Sequence, residues 1–193
     1  MRTLVLASSS PYRRALLQRL GVAFRTARPE VDETPLPGEP PAALVRRLAE
    51  AKARALAERF PEALIIGSDQ CAVTDESRIL GKPGDFEHAY AQLRALSGRS
   101  VRFLTGLCLL EASTGTVQLD VVPFLVEFRH LSDAQIRRYL QRERPFDCAG
   151  SFRSEGLGIA LFRRMQGDDP NALIGLPLIR LVDMLEAAGQ PVL

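Results

Sequence analysis

The sequence predicts an α/β fold: a mixed, twisted β-sheet flanked by helices, with two lobes around a cleft. Three observations lead there. Short apolar runs alternate along the chain with stretches whose apolar residues recur every three to four positions, the pattern of strands interleaved with helices. Two long apolar segments, 101–110 and 116–128, flank a turn containing Ser113-Thr114-Gly115, and a hairpin of that length argues against a purely parallel sheet. Of the 193 residues, 46% are hydrophobic and 25% charged, which suits one domain, or one domain with two lobes, around a real core.

The elements follow in order. Residues 3–7 read as a first strand. Ser10 then caps a helix opened by Pro11, since a serine oxygen satisfies a free N–H of the first turn and proline has none there to lose. Leu16, Leu17 and Leu20 give that helix its buried stripe, and Gly21 ends it. A Pro-rich acidic loop covers 28–41. The next helix runs over 41–59, with Leu44, Leu48 and Leu56 at four-residue steps; Lys52 falls on the same stripe. A second buried strand over 63–66 ends in Gly67-Ser68-Asp69-Gln70 and resumes at Cys71-Ala72-Val73. Asp75-Glu76-Ser77 is a turn and Gly81-Lys82-Pro83 a rigid loop. A helix over 85–97 is stopped by Gly98. Ser132 and Gln135 form a capping box for a short helix through Ile136 and Leu140. Residues 149–152 and 159–165 read as strands, and Pro177 opens a last helix that stops before Gly189.

Composition excludes several function classes. No apolar run approaches the ~20 residues of a membrane span. The N-terminal apolar run, Leu4 to Ala7, is shorter than the roughly 7–15 residues of a signal-peptide core, so the expected location is the cytoplasm. Net charge is +2 with both signs mixed, and no Lys/Arg tract suggests nucleic acid. Cys71, Cys108 and Cys148 are odd in number and lack a C-x-x-C, so they read as reduced thiols; two histidines cannot build a His-rich metal site. The P-loop, G-x-G-x-x-G and G-x-S-x-G signatures are absent.

What remains points to phosphate chemistry. Of the 25 basic residues 23 are arginine, and the two lysines are Lys52 and Lys82. Where arginine is the default, a retained lysine suggests a tight phosphate site that a guanidinium fork does not fit. Lys52 on a core-facing stripe is costly unless its head enters a polar site. Ser8-Ser9-Ser10-Pro11-Tyr12-Arg13-Arg14, between a strand and a helix N-terminus, offers hydroxyls, free N–H groups and guanidinium forks to an anion. Asp69 follows a buried strand, where α/β proteins place reactive groups. Glu30, Asp32 and Glu33 lie in the acidic loop; Glu30 reads as solvated, but hard carboxylate oxygens of this kind suit Mg²⁺ or Mn²⁺. A water nucleophile activated by a carboxylate completes the inventory.

Leu6-Ala7-Ser8-Ser9-Ser10-Pro11-Tyr12-Arg13-Arg14-Ala15-Leu16-Leu17 resembles the opening signature of the Maf family. Val31-Asp32-Glu33-Thr34-Pro35, Ala51-Lys52-Ala53, Gly67-Ser68-Asp69-Gln70, Leu80-Gly81-Lys82-Pro83, Leu96-Ser97-Gly98-Arg99, Ala149-Gly150-Ser151-Phe152 and Gly175-Leu176-Pro177-Leu178 continue the resemblance in order. The resemblance implies a single Maf-like domain over 1–193, with a fold like that of inosine triphosphate pyrophosphatases. It implies hydrolysis of a nucleoside triphosphate between the α- and β-phosphates, with a divalent metal, Mg²⁺ or Mn²⁺. It assigns Asp69 as the group that activates water, as a metal ligand, or as both. Ser8, Arg13, Lys52 and Lys82 would bind the triphosphate, and Glu33 would help hold the metal. Tyr12, Gln70 and Glu155 resemble the branch that acts on 7-methyl-GTP: a carboxylate at 155 accepts both N–H groups of guanine's Watson–Crick edge, and an aromatic face at 12 suits a cationic base. Two other readings stand beside this one: a dTTP/UTP pyrophosphatase, against which residues 12, 70 and 155 argue, and a non-catalytic nucleotide-binding regulator of septum formation, which would not need Asp69 and both lysines together. The expected partner is a small nucleotide, with no nucleic acid or membrane; dimers are common in the family.

Overall fold

A computed structural model describes residues 2–76 and 78–193; Met1, and Ser77 of the expected turn, lie outside the described residues. In order they form β1 (Leu4–Ala7), α1 (Pro11–Gln18), β2 (Phe24–Ala27), α2 (Pro41–Arg54), β3 (Leu64–Thr74), β4 (Ile79–Leu80), α3 (Phe86–Leu96), β5 (Ser100–Glu111), β6 (Thr116–Phe128), α4 (Asp133–Glu143), β7 (Phe162–Gln166), α5 (Pro170–Ile174) and α6 (Leu178–Ala187). The sheet order is β2-β1-β3-β5-β6-β7, with β4 paired to β3. It is mixed, as expected: β1 runs parallel to β2 and β3, while β3–β4 and β6–β7 are antiparallel.

The chain divides into two compact units. The first is Met1–Gln70, Leu104–Val122 and Asp169–Leu193; the second is Cys71–Phe103 and Pro123–Asp168. In the first unit β1 and the start of β3 are buried on both faces, so they read as continuous apolar runs. The pleat sends alternate residues to opposite sides. Leu4, Leu6, Leu64 and Ile66 pack with Leu16 and Leu17 of α1 and Leu181 and Leu185 of α6. Val5, Ala7 and Ile65 pack with Ala49 and Ala53 of α2 and with Leu56 just beyond its end. Helix α2 approaches the sheet closely because Gly67 and Gly106 lie beneath it; a Cβ at either would overlap the carbonyl of Ala49 or Val45. In the second unit Phe103, Phe128, Phe152 and Phe162 form a cluster of edge-to-face rings.

The structure departs from the expected elements in four places, and it adds β2, β4 and α5, which were not expected. Residues 67–70 do not interrupt a strand; β3 runs unbroken through them, because Gly67 serves the helix overhead and not a turn. Residues 149–151 are a 3₁₀ turn instead of a strand, bent by Gly150 and Ser151 at φ 79° and 61°. Residues 157–161 are likewise 3₁₀ before β7 begins. Helix α2 stops at Arg54 and not at residue 59. The expected caps are in place: Ser10 accepts from the Arg13 N–H with Pro11 at the first position of α1, and the Ser132–Gln135 box opens α4.

Candidate active site

Strand β3 puts its neighbouring side chains to different uses. On the face under α2, Asp69 meets Lys52. The Lys52 ammonium donates to Asp69 Oδ1 at 2.6 Å and to Glu33 Oε1 at 2.7 Å. Lys52 comes from the apolar stripe of α2, and the Lys52 and Asp69 side chains are 8% and 13% exposed, against 60% for Glu33. Removing two charges from water costs several kcal/mol per ion, so this pair stands only because each partner satisfies the other. On the opposite face, Ser68 donates to the Gly175 carbonyl at 3.0 Å. Gln70 donates from Nε2 to the carbonyls of Ala172 and Leu173, at 2.7 and 3.1 Å, and to the Thr105 hydroxyl at 3.0 Å. The amide nitrogen of Gln70, to which the family resemblance gives a part in substrate choice, is thus committed to α5 and Thr105.

The loop between β1 and α1 carries the residues that the sequence reading expects to meet an anion. Ser8 is 8% exposed, and its hydroxyl accepts from the Ser10 N–H at 3.1 Å. Arg13, in the first turn of α1, donates from Nε to the Gly175 carbonyl at 2.8 Å. Burial pulls its pKa below the usual value, while the negative charges of Asp69 and Glu33 pull it back up; a guanidinium there stays charged. Tyr12, beside it, is half-buried. Ser68 and Arg13 therefore converge on one carbonyl, and both are fixed by the segment after β7.

Glu33 rides on a loop strapped to α2. Arg47 makes a two-pronged contact with Glu39, Nε to Oε1 and Nη2 to Oε2, each at 2.7 Å, and Nη2 also donates to the Thr34 carbonyl at 3.1 Å. The hydrogen bonds from Arg47 hold the Glu39 carboxyl down at about 2. Asp32 turns the loop by accepting from the Thr34 N–H at 2.9 Å; hydrogen bonding from the Thr34 side chain, and then from this N–H, lowers its pKa.

Lys82 and Glu155 belong to the second unit, and both are exposed. The Lys82 loop is tied at Gly81, whose carbonyl accepts from Gln92 at 3.2 Å, and at Gly84, whose N–H donates to the Phe146 carbonyl at 2.9 Å. The Glu155 loop hangs from α4: the Arg153 N–H donates to the Tyr139 hydroxyl at 3.1 Å, and the Leu157 N–H to Glu143 at 2.9 Å.

A family model described as Maf-like protein matches residues 3–188. The chain belongs to the Maf family. A protein of Nitrosococcus oceani named 7-methyl-GTP pyrophosphatase is 61% identical over 191 residues, 99% of this chain and 96% of that one. A Pseudomonas aeruginosa protein of the same name is 57% identical over 189 residues, 98% of each. A HAM1 protein from Coxiella burnetii shares the fold, with a TM-score of 0.50 at 20% identity, over 68% of this chain and 75% of that one.

In this Maf chain the described residues contain no cluster of three or more His, Cys, Asp or Glu side chains able to hold a metal alone. Glu33 and Asp69 nevertheless direct carboxylate oxygens at one cation, the Lys52 ammonium. Two hard oxygen donors of this kind fit a Mg²⁺ or Mn²⁺ that completes its shell with phosphate oxygens and water. The three cysteines are unbridged; burial raises the Cys108 thiol to about 12, an inert core position. Sequence reasoning did not find Thr105, the Arg47–Glu39 strap or α5. Asp169-Pro170 followed by Gly175 was a legible start and stop for α5; Arg47 and Glu39 carried no signal.

Proposed function

We propose that this chain hydrolyses 7-methyl-GTP to 7-methyl-GMP and pyrophosphate. The reading rests on the near-full-length relatives of that name, and the observation that carries it is the Lys52 ammonium held between Asp69 and Glu33. Asp69, fixed in mid-strand, accepts the proton of the water that attacks the α–β anhydride. Lys52, Arg13, Lys82 and the Ser8 loop bind the triphosphate oxygens and neutralise charge that builds as the anhydride breaks. Glu33 and Asp69 would hold a divalent cation, which when bound neutralises phosphate charge and orients the anhydride. Glu155 accepts from the two N–H groups of the guanine edge, and Tyr12 offers its ring to the cationic base. Gln70 contributes indirectly, through the α5 carbonyls that it holds. The substrate belongs to the cytoplasmic nucleotide pool.

A turnover screen tests the reading. With Mg²⁺ or Mn²⁺ present, pyrophosphate release from 7-methyl-GTP should exceed that from GTP, dTTP, UTP and CTP, with little orthophosphate. Asp69→Asn should lower turnover by about 10²–10⁴-fold, the range for a lost general base, with 7-methyl-GTP binding largely kept. Retained turnover in that variant removes Asp69 from the mechanism. Release mainly from dTTP or UTP would keep the reaction and sink the role given to Glu155.

A further inference from the structure

Two loops of the second unit carry the residues assigned above to substrate, and one side chain joins them. Gln92 lies on α3, half-buried. Its Nε2 donates to the Gly81 carbonyl at 3.2 Å, immediately before Lys82. Its Oε1 accepts from the Ser151 hydroxyl, at the turn that leads to Glu155. The Gly81 carbonyl dictates the orientation of the amide, because a flipped amide would set two acceptors against each other. Ser151 is fully buried and held at φ 61°, a conformation that costs a non-glycine residue energy unless something is gained by it. That backbone points its hydroxyl at Gln92. Beyond Lys82 the loop is tied again, from the Gly84 N–H to the Phe146 carbonyl at 2.9 Å.

We propose that Gln92 is a positioning residue for the triphosphate: it fastens the Gly81–Lys82 loop to the Ser151 turn and so presets Lys82 for the phosphates. The inference rests on the reading of Lys82 as a phosphate-binding residue. An exposed lysine on a free loop must be ordered at the moment of binding, and that ordering subtracts from affinity. With its loop fastened on both sides, Lys82 has less to lose.

The test is a double-mutant cycle on the full-length enzyme with 7-methyl-GTP as substrate. Gln92→Leu, near in size but without the hydrogen bonds, should raise KM about tenfold, the effect of roughly 1.4 kcal/mol, with kcat within about twofold. In a Lys82→Ala background the same substitution should change KM by no more than about twofold. Ser151→Gly supplies the second arm: it relieves the strained backbone while removing the hydroxyl, so thermal stability should hold or rise while KM rises as in Gln92→Leu. A merely structural role would move stability and KM together. A wild-type KM in either Gln92→Leu or Ser151→Gly, on an enzyme that Lys82→Ala impairs, overturns the positioning role alone. So does a Gln92→Leu effect that persists at full size without Lys82. A wild-type KM in Lys82→Ala itself overturns the assignment of Lys82, and the inference with it.

Discussion

Lys52 lies on a helix of the first unit with its ammonium gripped by two carboxylates, whereas Lys82 stands exposed on a loop of the second and is steadied through the backbone on either side. These are the chain's two lysines among 25 basic residues. Lys52 is prearranged by charge: its partners exist before any substrate arrives, and its removal leaves Asp69 buried without its hydrogen-bonded ammonium, with only the more distant charge of Arg13 to offset it. Lys82 is held by geometry: its loop is tied and its head is exposed, as the proposed contact with a phosphate requires. On the proposed reading, the same side chain is part of the fold in one place and part of the binding surface in another.

That contrast can be broken by measurement. Lys52→Ala should show the largest effect: turnover lower by about 10²–10³-fold and a loss of about 3 kcal/mol in unfolding free energy, the cost of stranding a buried charge. Denaturant melts check the second figure, and wild-type stability would mean that the pair is not prearranged. Lys82→Ala should raise KM at least about tenfold, the effect of one charge-assisted hydrogen bond, while stability stays within about 0.5 kcal/mol. A large stability loss there would erase the distinction between the two lysines. Glu155→Gln should reduce the kcat/KM preference for 7-methyl-GTP over dTTP by about tenfold, measured by competition.

The smallest effect belongs to the strap under Glu33. The folded Glu39 carboxyl sits at about 2, below its ordinary 4.5. A depressed pKa contributes stability above the unfolded value and loses it as pH falls through the window from about 4.5 to 2. Glu39→Gln should therefore narrow the difference between thermal melts at neutral and acid pH, with most of the change inside that window. An unchanged acid profile would remove the strap from the stability of this loop.

How much of this was legible depended on range. Lys52 was legible because its place on the stripe Leu44, Leu48, Leu56 is a local fact, and a charge there demands a partner. The partner's setting was not. Glycine at 67 reads equally as a turn or as a close approach, and only the helix above it decides. The same ambiguity hid the turn at Gly150 and Ser151, where apolar neighbours suggested a strand. The Arg47–Glu39 strap joins a helix to an irregular loop, and α5, at five residues, was marked only at its ends, its apolar pattern being too short to be told from a strand. Asp69 stood out in the sequence as a carboxylate after a buried strand; that it lies inside the strand, flanked by Ser68 and Gln70 serving the opposite face, was not legible.

Gly67 and Gly106 let α2 settle onto the sheet, and with it the backbone that carries Lys52. Two absent methyl groups therefore set the working height of an ammonium ion. A single carbon added at either place would lift the helix by something on the order of an ångström, about the margin that separates a hydrogen bond from no bond at all. The tightest tolerance in this part of the molecule is thus held by residues with no chemistry of their own: two hydrogen atoms where any other amino acid would have put carbon.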